Sequence, residues 1–172
     1  MVHWTDEESP EPLLAIDPGS TRSDKSTTGI VYLEGLELKD SWSVPNGISG
    51  FRDWANLCLG VDFPYDVWLY DSWFFNSTVV CETFVDRQVR GADRSPMLIE
   101  GAVRFLWPDA VLQSAAGYKT QMPDEAMNAL GFTKSTFPGD HHADRWAALR
   151  HALLYLRRQK DPTVLAALRS LT

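Results

Sequence analysis

The fold is decided by residues 13–33, LLAIDPGSTRSDKSTTGIVYL. The stretch opens with a short apolar run that stops at Asp17, where the sequence Asp-Pro-Gly ends regular strand pairing. This pattern predicts a buried first strand that carries a carboxylate at its end. A second β-type run covers 28–33, and a hairpin-like step at Gly35 leads to a third run over 36–44. We therefore expect an antiparallel meander of three strands.

The rest of the chain alternates between helical spacing and short apolar runs. Residues 50–59 have apolar side chains every three or four positions, which predicts an amphipathic helix, and 66–70 (DVWLY) predicts a fourth strand that ends at Asp71. The further predicted elements are helices over 78–90 and 95–107, a strand over 110–113, and helices over 123–130 and 140–159. Together they predict an α/β fold with a mixed five-stranded sheet flanked by helices.

The length of 172 residues fits one globular domain, and 44% apolar residues with seven tryptophans predict a packed core. We expect an acidic flexible tail over 1–12, the folded domain over 13–160, and a short helix or tail over 161–172. The sequence has no long apolar run and no secretory leader pattern, so we expect no membrane contact and a cytoplasmic protein. Cys58 and Cys81 lack metal-ligand spacing and predict reduced, buried thiols.

The net charge of −7 is unevenly distributed along the chain. Residues 1–40 carry −6 and residues 41–100 carry −4, whereas residues 101–172 carry +3. A nucleic-acid partner therefore remains open, because binding depends on local bases rather than on the total charge. Lys119, Lys134 and Arg145 would neutralise a few phosphates if they lay on one face, and a solvated basic surface is the alternative.

Acidic residues recur where predicted strands end. Asp17 and Asp71 each follow a strand, and the carboxyl ends of strands are where open α/β sheets bind ligands. In the segment Asp140-His141-His142-Ala143-Asp144, His141 and Asp144 are spaced to share one face of the last long helix. Clustered oxygen ligands suit Mg²⁺, and two such ions can support displacement at a phosphodiester.

Each of these residues also has an ordinary structural interpretation. Asp17 fits a turn acid, Asp71 an acid that ends a strand, and Asp140 an N-cap. His141 and His142 fit solvated first-turn residues, and Asp144 fits an acid that stabilises the helix dipole.

The order and placement of these stretches resemble RuvC-like Holliday junction resolvases of the RNase H-like superfamily. The matching stretches are LLAIDPGS with TTGIVYL, VWLYDSWF, and HHADRWAALRHALLYL, which bracket residues 13–156. The resemblance implies an RNase H-like fold and a homodimeric endonuclease of a bacterial or phage-infected cell. It implies dependence on Mg²⁺ or Mn²⁺, with two ions, and paired nicking of four-way or other branched DNA.

The resemblance also implies a set of metal ligands. Asp17 matches the first-strand ligand, Asp71 the fourth-strand ligand, and His141 with Asp144 the helix pair, whereas contributions from Asp140 and His142 stay open. The family usually has Glu on its fourth strand, so Asp71 departs by one methylene. A second departure is the enlarged loop 20–27 beside the site.

Two further residues match positions that meet DNA in the family. Phe74 matches an aromatic that contacts bases near the junction, and core packing is its alternative. Lys119 matches a lysine near the scissile phosphate, and a solvated lysine is its alternative.

Two other functions stay in competition with this nuclease. A non-catalytic DNA-binding module could use the same fold. The Asp-x-Gly-Ser-Thr pattern also opens actin-like phosphotransferases, although a single domain lacks their second phosphate loop. We further expect a two-fold dimer through an apolar stretch with small residues: Pro96, Met97, Leu98, Ile99, Gly101, Ala102, Phe105 and Leu106.

Overall fold

The computed structural model describes residues 11–19, 27–59, 73–84 and 93–171. It contains five strands in one sheet: β1 (Pro12–Asp17), β2 (Thr28–Glu34), β3 (Glu37–Val44), β4 (Thr78–Thr83) and β5 (Val111–Ser114). The helices are α1 (Gly47–Leu59), α2 (Trp73–Asn76), α3 (Ser95–Leu106), α4 (Tyr118–Gln121), α5 (Asp124–Ala129), α6 (His142–Arg158) and α7 (Pro162–Arg169). A 3₁₀ turn spans Lys134–Thr136.

The sheet has the strand order β3-β2-β1-β4-β5. The first three strands are antiparallel, whereas β4 runs parallel to both β1 and β5. This confirms the predicted mixed five-stranded sheet and its antiparallel meander. The carboxyl ends of β1, β4 and β5 consequently meet at one edge of the sheet.

The fourth strand is formed by a different segment from the predicted one. The helix predicted over 78–90 is wrong at its start, because Thr78–Thr83 pairs with β1 and β5 as a strand. The predicted fourth strand over 66–70 and its predicted ligand Asp71 lie outside the described residues. The acid that ends the observed fourth strand is Glu82.

Two apolar layers cover the sheet. Leu13, Ala15 and Val80 point to one face, where α6 packs with α5 and α7. Leu14, Ile16 and Val79 point to the other face, against α1 and α3. The alternation along β1 explains this, because successive side chains of a strand point to opposite faces. Asp17 therefore shares the α6 face with Leu13 and Ala15.

Phe74 belongs to the second of these layers. It is fully buried and packs against Trp54 and Trp107, with ring centroids 5.7 and 4.6 Å away. We do not retain the prediction that Phe74 contacts DNA bases, because its ring is covered by core side chains.

Neither Cys58 nor Cys81 forms a disulfide. Cys81 is buried as predicted, whereas Cys58 is half-buried. Burial raises the pKa of Cys58 to about 11, so this thiol stays protonated near neutral pH. None of the described helices combines the length and the apolar character needed to cross a bilayer.

Candidate metal centre

Three strands deliver polar side chains to the same corner of the sheet. Asp17 lies opposite Gly29 in the β1–β2 ladder, and Ile16 pairs with Cys81, so Glu82 follows beside Asp17. Glu82 in turn pairs with Gln113 of β5. Asp17, Glu82 and Gln113 therefore form a row across β1, β4 and β5, and the strand alternation turns all three toward α6.

Helix α6 brings two more polar side chains to this row. Asp144 lies in its first turn and His151 lies two turns further on, so both face the sheet. The candidate ligand atoms of Asp17, Glu82 and His151 all lie within 4.8 Å of one another. Among the described residues, this compact group does not include His141 or Asp144.

A close contact between backbones sets the position of Asp144. A Cβ atom added to Gly29 would overlap the backbone carbonyl of Asp144, so glycine permits α6 to lie directly on β2. Asp144 Oδ2 then accepts hydrogen bonds from the backbone N–H of Thr27 at 3.0 Å and from its hydroxyl at 2.6 Å. These bonds fix the Asp144 carboxylate beside the carboxyl end of β1.

The electrostatics of the group favour a bound cation. Burial, a hydrogen bond with Glu82 and the charges of Glu82 and Asp144 raise the pKa of Asp17 well above its usual value. Burial alone would raise the pKa of Glu82, but hydrogen bonds from His151 and Asp17 lower it. Crowded carboxylates of this kind are the oxygen ligands that Mg²⁺ prefers, and a cation would relieve their repulsion. The donor set therefore fits a hard divalent ion.

Lys119, one of the predicted phosphate-binding bases, interacts electrostatically with two of these acids. It lies in α4, it is exposed, and its charge lowers the pKa values of both Asp17 and Glu82. Its ammonium group lies 5.7 Å from the ring centroid of Tyr118. The structure thus brings Lys119 together with two carboxylates from different strands.

Lys134 and Arg145 take different positions. Lys134 and Lys119 both line a cleft of about 470 Å³ that Asp124 and Glu125 also line, and Lys134 Nζ lies 3.8 Å from Asp124 Oδ2. Arg145 instead donates to the carbonyl of Pro138 at 2.7 Å and lies over the ring of Phe137. Arg145 is therefore bonded to the loop before α6 and does not line the cleft.

The segment before α6 differs from the predicted helix start. The helix begins at His142, because His141 has a left-handed φ of 63° and Gly139 one of 86°. Asp140 consequently does not cap the helix, and His142 is exposed at the rim of the cleft. The backbone carbonyl of His141 accepts a hydrogen bond from Ser43 at 3.4 Å.

Three residues of the site were missed in the sequence analysis. Glu82 ends the run Thr78–Glu82, whose β-branched residues are a strand signal, and glutamate is the residue that the resemblance calls for on a fourth strand. His151 lies seven residues after Asp144, a spacing that places both on one helix face. The sequence around Gln113 gives no indication of a site, because Gln113 belongs to it only through its neighbours Glu82 and His151 in other elements.

Comparison with known proteins supports the fold. No protein-family model matches the sequence, and no curated protein matches it. The structure is similar to T. thermophilus RuvC in complex with a Holliday junction substrate, with a TM-score of 0.56 and 18% sequence identity. The match covers 87% of this chain and 96% of that chain. The mixed sheet and its flanking helices are those of an RNase H-like fold.

Proposed function

We propose that this protein is a metal-dependent endonuclease that cuts branched DNA, with the four-way Holliday junction as its substrate. The observation that carries the proposal is the convergence of Asp17, Glu82 and Asp144 at one corner of an RNase H-like sheet. Half-buried carboxylates from separate elements lie together there, and among the described residues no lysine or arginine forms an ion pair with them. The similarity to a RuvC bound to a junction supports the choice of substrate.

Asp17, Glu82 and Asp144 would hold Mg²⁺ or Mn²⁺, and we extend the proposal to two ions. Such ions, when bound, supply Lewis-acid stabilisation of the phosphate charge and activate a water molecule for attack. Glu82 takes the place on the fourth strand that the sequence analysis gave to Asp71. His141 lies before the first residue of α6, so the expectation that it shares a helix face with Asp144 is wrong. It stays a proposed ligand only through the family resemblance.

The protein groups around the acids would bind and orient the DNA strand. Lys119 is exposed beside Asp17 and Glu82, so its ammonium group can neutralise a phosphate at the position where charge develops during cleavage. Lys134 lines the same cleft, and it would offer a second phosphate contact if the phosphate replaced Asp124 as its partner. Arg145 would contact a phosphate less readily than Lys119, because its guanidinium already donates a hydrogen bond to the Pro138 carbonyl.

A homodimer would place two such centres on one junction. The exposed side of α3 carries Met97, Leu98 and Phe105, the last of which is 85% exposed. Beside them, α1 and α3 form an apolar cleft of about 400 Å³ lined by Phe51, Ala102 and Phe105 among others. Large exposed apolar side chains next to an apolar cleft are typical of an interaction surface. Pro96 and Ile99 from the predicted dimer stretch instead lie in the core.

The experiment is cleavage of a synthetic four-way junction whose four strands carry different labels. We expect paired, symmetric nicks that require Mg²⁺ or Mn²⁺ and that disappear in EDTA. Linear duplex and forked DNA of the same sequences measure the selectivity for branched substrates. Binding of the junction without any metal-dependent cutting would contradict the proposal and favour a non-catalytic DNA-binding module.

Two matched variants identify the fourth-strand ligand. Glu82→Gln keeps the size of the side chain and removes its charge, so we expect loss of cleavage with junction binding retained. Asp71→Asn makes the same chemical change at the position that the sequence alone favoured, and we expect cleavage near the wild-type rate. The opposite pattern would transfer the role to Asp71.

A further inference from the structure

His151 is a fully buried polar residue on a largely apolar helix. Its Nε2 atom lies 3.0 Å from Glu82 Oε2, and its Nδ1 atom lies 3.3 Å from Gln113 Oε1. Both neighbours come from the row of polar side chains on β4 and β5. The imidazole therefore bridges two strands behind the carboxylates, at a depth where an unsatisfied polar atom is costly.

The partners determine which ring nitrogen carries a proton. An ionised carboxylate only accepts hydrogen bonds, so the short contact with Glu82 requires a proton on His151 Nε2. The carboxamide of Gln113 can donate or accept, and its Nε2 atom is buried without a partner when its oxygen faces His151. Turning the amide lets Gln113 donate to Nδ1 and leaves Nε2–H of His151 for Glu82.

One face of the imidazole ring is also covered. The ring of Tyr118 stacks on His151 with a centroid distance of 4.8 Å and an interplanar angle of 6°. Both edges and one face of the imidazole are thus occupied by Glu82, Gln113 and Tyr118. The ligand atoms of Asp17, Glu82 and His151 are close enough to share a metal ion. A cation could reach a ring nitrogen of His151, however, only by displacing Glu82 or Gln113 from its hydrogen bond.

We propose that His151 is a positioning residue, which donates Nε2–H to Glu82 and holds that carboxylate toward the cation without ligating the cation itself. The proposal rests on the metal centre of the proposed function. Gln113 sets the ring tautomer and Tyr118 sets the ring plane. Mutation of a residue that hydrogen-bonds to a metal ligand typically weakens metal affinity by about 10- to 100-fold.

The first test observes the His151 ring directly by ¹H–¹⁵N NMR of the metal-free protein, with His151→Gln used to assign its signals. We expect an Nε2-bound proton that exchanges slowly with solvent and persists when Mg²⁺ is added. A ring with a bare Nε2 atom, or an Nε2 proton that is lost as Mg²⁺ binds, would overturn the proposal in favour of direct ligation.

The second test measures Mn²⁺ binding by electron paramagnetic resonance in the absence of DNA. His151→Leu should weaken Mn²⁺ affinity about 10- to 100-fold, whereas His151→Gln, which retains an N–H donor, should restore most of it. Gln113→Leu should give a smaller loss, because Glu82 keeps its donor. Trp107→Phe is the control, since it also removes a buried hydrogen bond, to the carbonyl of Phe74, in the layer on the other face of the sheet.

The Mn²⁺ measurement also distinguishes failure of the positioning role from failure of the nuclease function. A ¹⁴N coupling to Mn²⁺ that disappears in His151→Gln would overturn positioning, as would equal loss of affinity in the Leu and Gln variants. If His151→Leu fails to fold, the NMR result on the wild type and the Gln variant decide the matter. Wild-type Mn²⁺ binding without junction cleavage would contradict the nuclease alone, and absence of Mn²⁺ binding would overturn both.

Discussion

At Asp17, burial and two neighbouring acids act in the same direction on the carboxyl group. They raise its pKa well above the usual value, and Lys119 opposes them only in part. A neutral side chain of the same shape would relieve this repulsion in the metal-free protein. In the metal-free protein the charged Asp17 side chain therefore contributes little to stability, which agrees with its proposed role as a cation ligand.

The first prediction is that Asp17→Asn abolishes metal-dependent cleavage of the junction. Because asparagine keeps the shape and removes a crowded charge, the free energy of unfolding of the metal-free protein should stay the same or increase. Cleavage assays in Mg²⁺ and urea unfolding in EDTA measure the two effects. Asp144→Asn is the companion variant, and cleavage near the wild-type rate in either would remove that residue from the ligand set.

A second buried acid, Glu100, serves stability instead of metal binding. Its carboxylate accepts hydrogen bonds from the Thr83 hydroxyl at 3.1 Å, the Phe84 backbone N–H at 2.9 Å and the Arg104 guanidinium at 2.8 Å. Burial alone would raise the pKa of Glu100, but these three partners lower it. The carboxylate thereby ties α3 to the end of β4.

The second prediction is that Glu100→Gln lowers the free energy of unfolding by about 2 kcal/mol at pH 7, because the hydrogen bonds lose their charged acceptor. A lowered pKa in the folded state stabilises the protein above the unfolded-state pKa of about 4.3. The difference between wild type and variant should therefore shrink as the pH falls below that value. Urea unfolding across this pH range measures it, and a difference independent of pH would contradict the assignment.

Helix α6 and strand β2 approach each other at Gly29, where no side chain separates the two backbones. The contact determines where Asp144 meets Thr27, so one glycine links the packing of two elements to the geometry of the candidate metal centre.

The third prediction is that Gly29→Ala impairs metal binding and cleavage by more than its loss of stability explains. The added methyl group would overlap the backbone of Asp144 and push the first turn of α6 away from the sheet. Val31→Ala is the control on the same strand, because it opens a cavity in the core without displacing Asp144. Equal Mn²⁺ affinity in the two variants at matched stability would contradict this mechanism.

The elements differ in how far the sequence alone could define them. The sequence predicts the meander, α1, α3, β5 and α6 to within a few residues, because apolar periodicity and Gly or Pro boundaries are local signals. It predicts a helix over 78–90, where the apolar residues also fit a helical spacing. Its first half becomes β4 because β1 and β5 pair with it on both sides, which is a non-local effect.

The same distinction applies to the site. Asp17 and Asp144 follow from a strand end and a helix face, both of which are local patterns. The group formed by Glu82, Gln113 and His151 requires β4, β5 and α6 to be in place, so no single segment of the sequence could indicate it.

For the whole molecule, the unpaired apolar surface lies on the face of the sheet opposite to α6, on α1 and α3. Phe105 is 85% exposed and lines the cleft between these helices. The candidate metal centre lies on the α6 face, so a dimer formed through α3 would leave both centres accessible.

The fourth prediction is that Phe105→Asp converts a dimer into a monomer. The wild type should sediment at about twice the chain mass of 19.4 kDa at micromolar concentration, and the variant at one chain mass. The exposure of Phe105 limits the effect on monomer stability to about 0.5 kcal/mol. Leu57→Asp is the control, since Leu57 is also exposed on α1 but does not line the cleft. A monomeric wild type would contradict the dimer.

An acidic molecule must bind DNA through a limited basic region, and the charge distribution locates that region. Residues 101–172 carry +3 while the remainder carries −10, and Lys119, Lys134 and Arg150 of the basic part line one cleft together with Asp124 and Glu125. Each phosphate contact contributes about 0.9 to the slope of log affinity against log salt. A few contacts therefore predict a moderate slope, and divalent cations should strengthen binding because they offset the charge of the carboxylates.

The last prediction is that Lys119→Ala lowers this salt slope by about one unit and also slows single-turnover cleavage, because one ammonium group serves both phosphate binding and the charge that develops in the transition state. The salt titration is run in Ca²⁺ to suppress cutting. Arg158→Ala is the matched control, since Arg158 is exposed at the far end of α6, about 20 Å along the helix from Asp144. It should leave both the slope and the rate unchanged.

An unchanged slope together with an unchanged cleavage rate in Lys119→Ala would remove Lys119 from the site. A lower slope with a wild-type cleavage rate would show that Lys119 binds phosphate but does not assist cleavage.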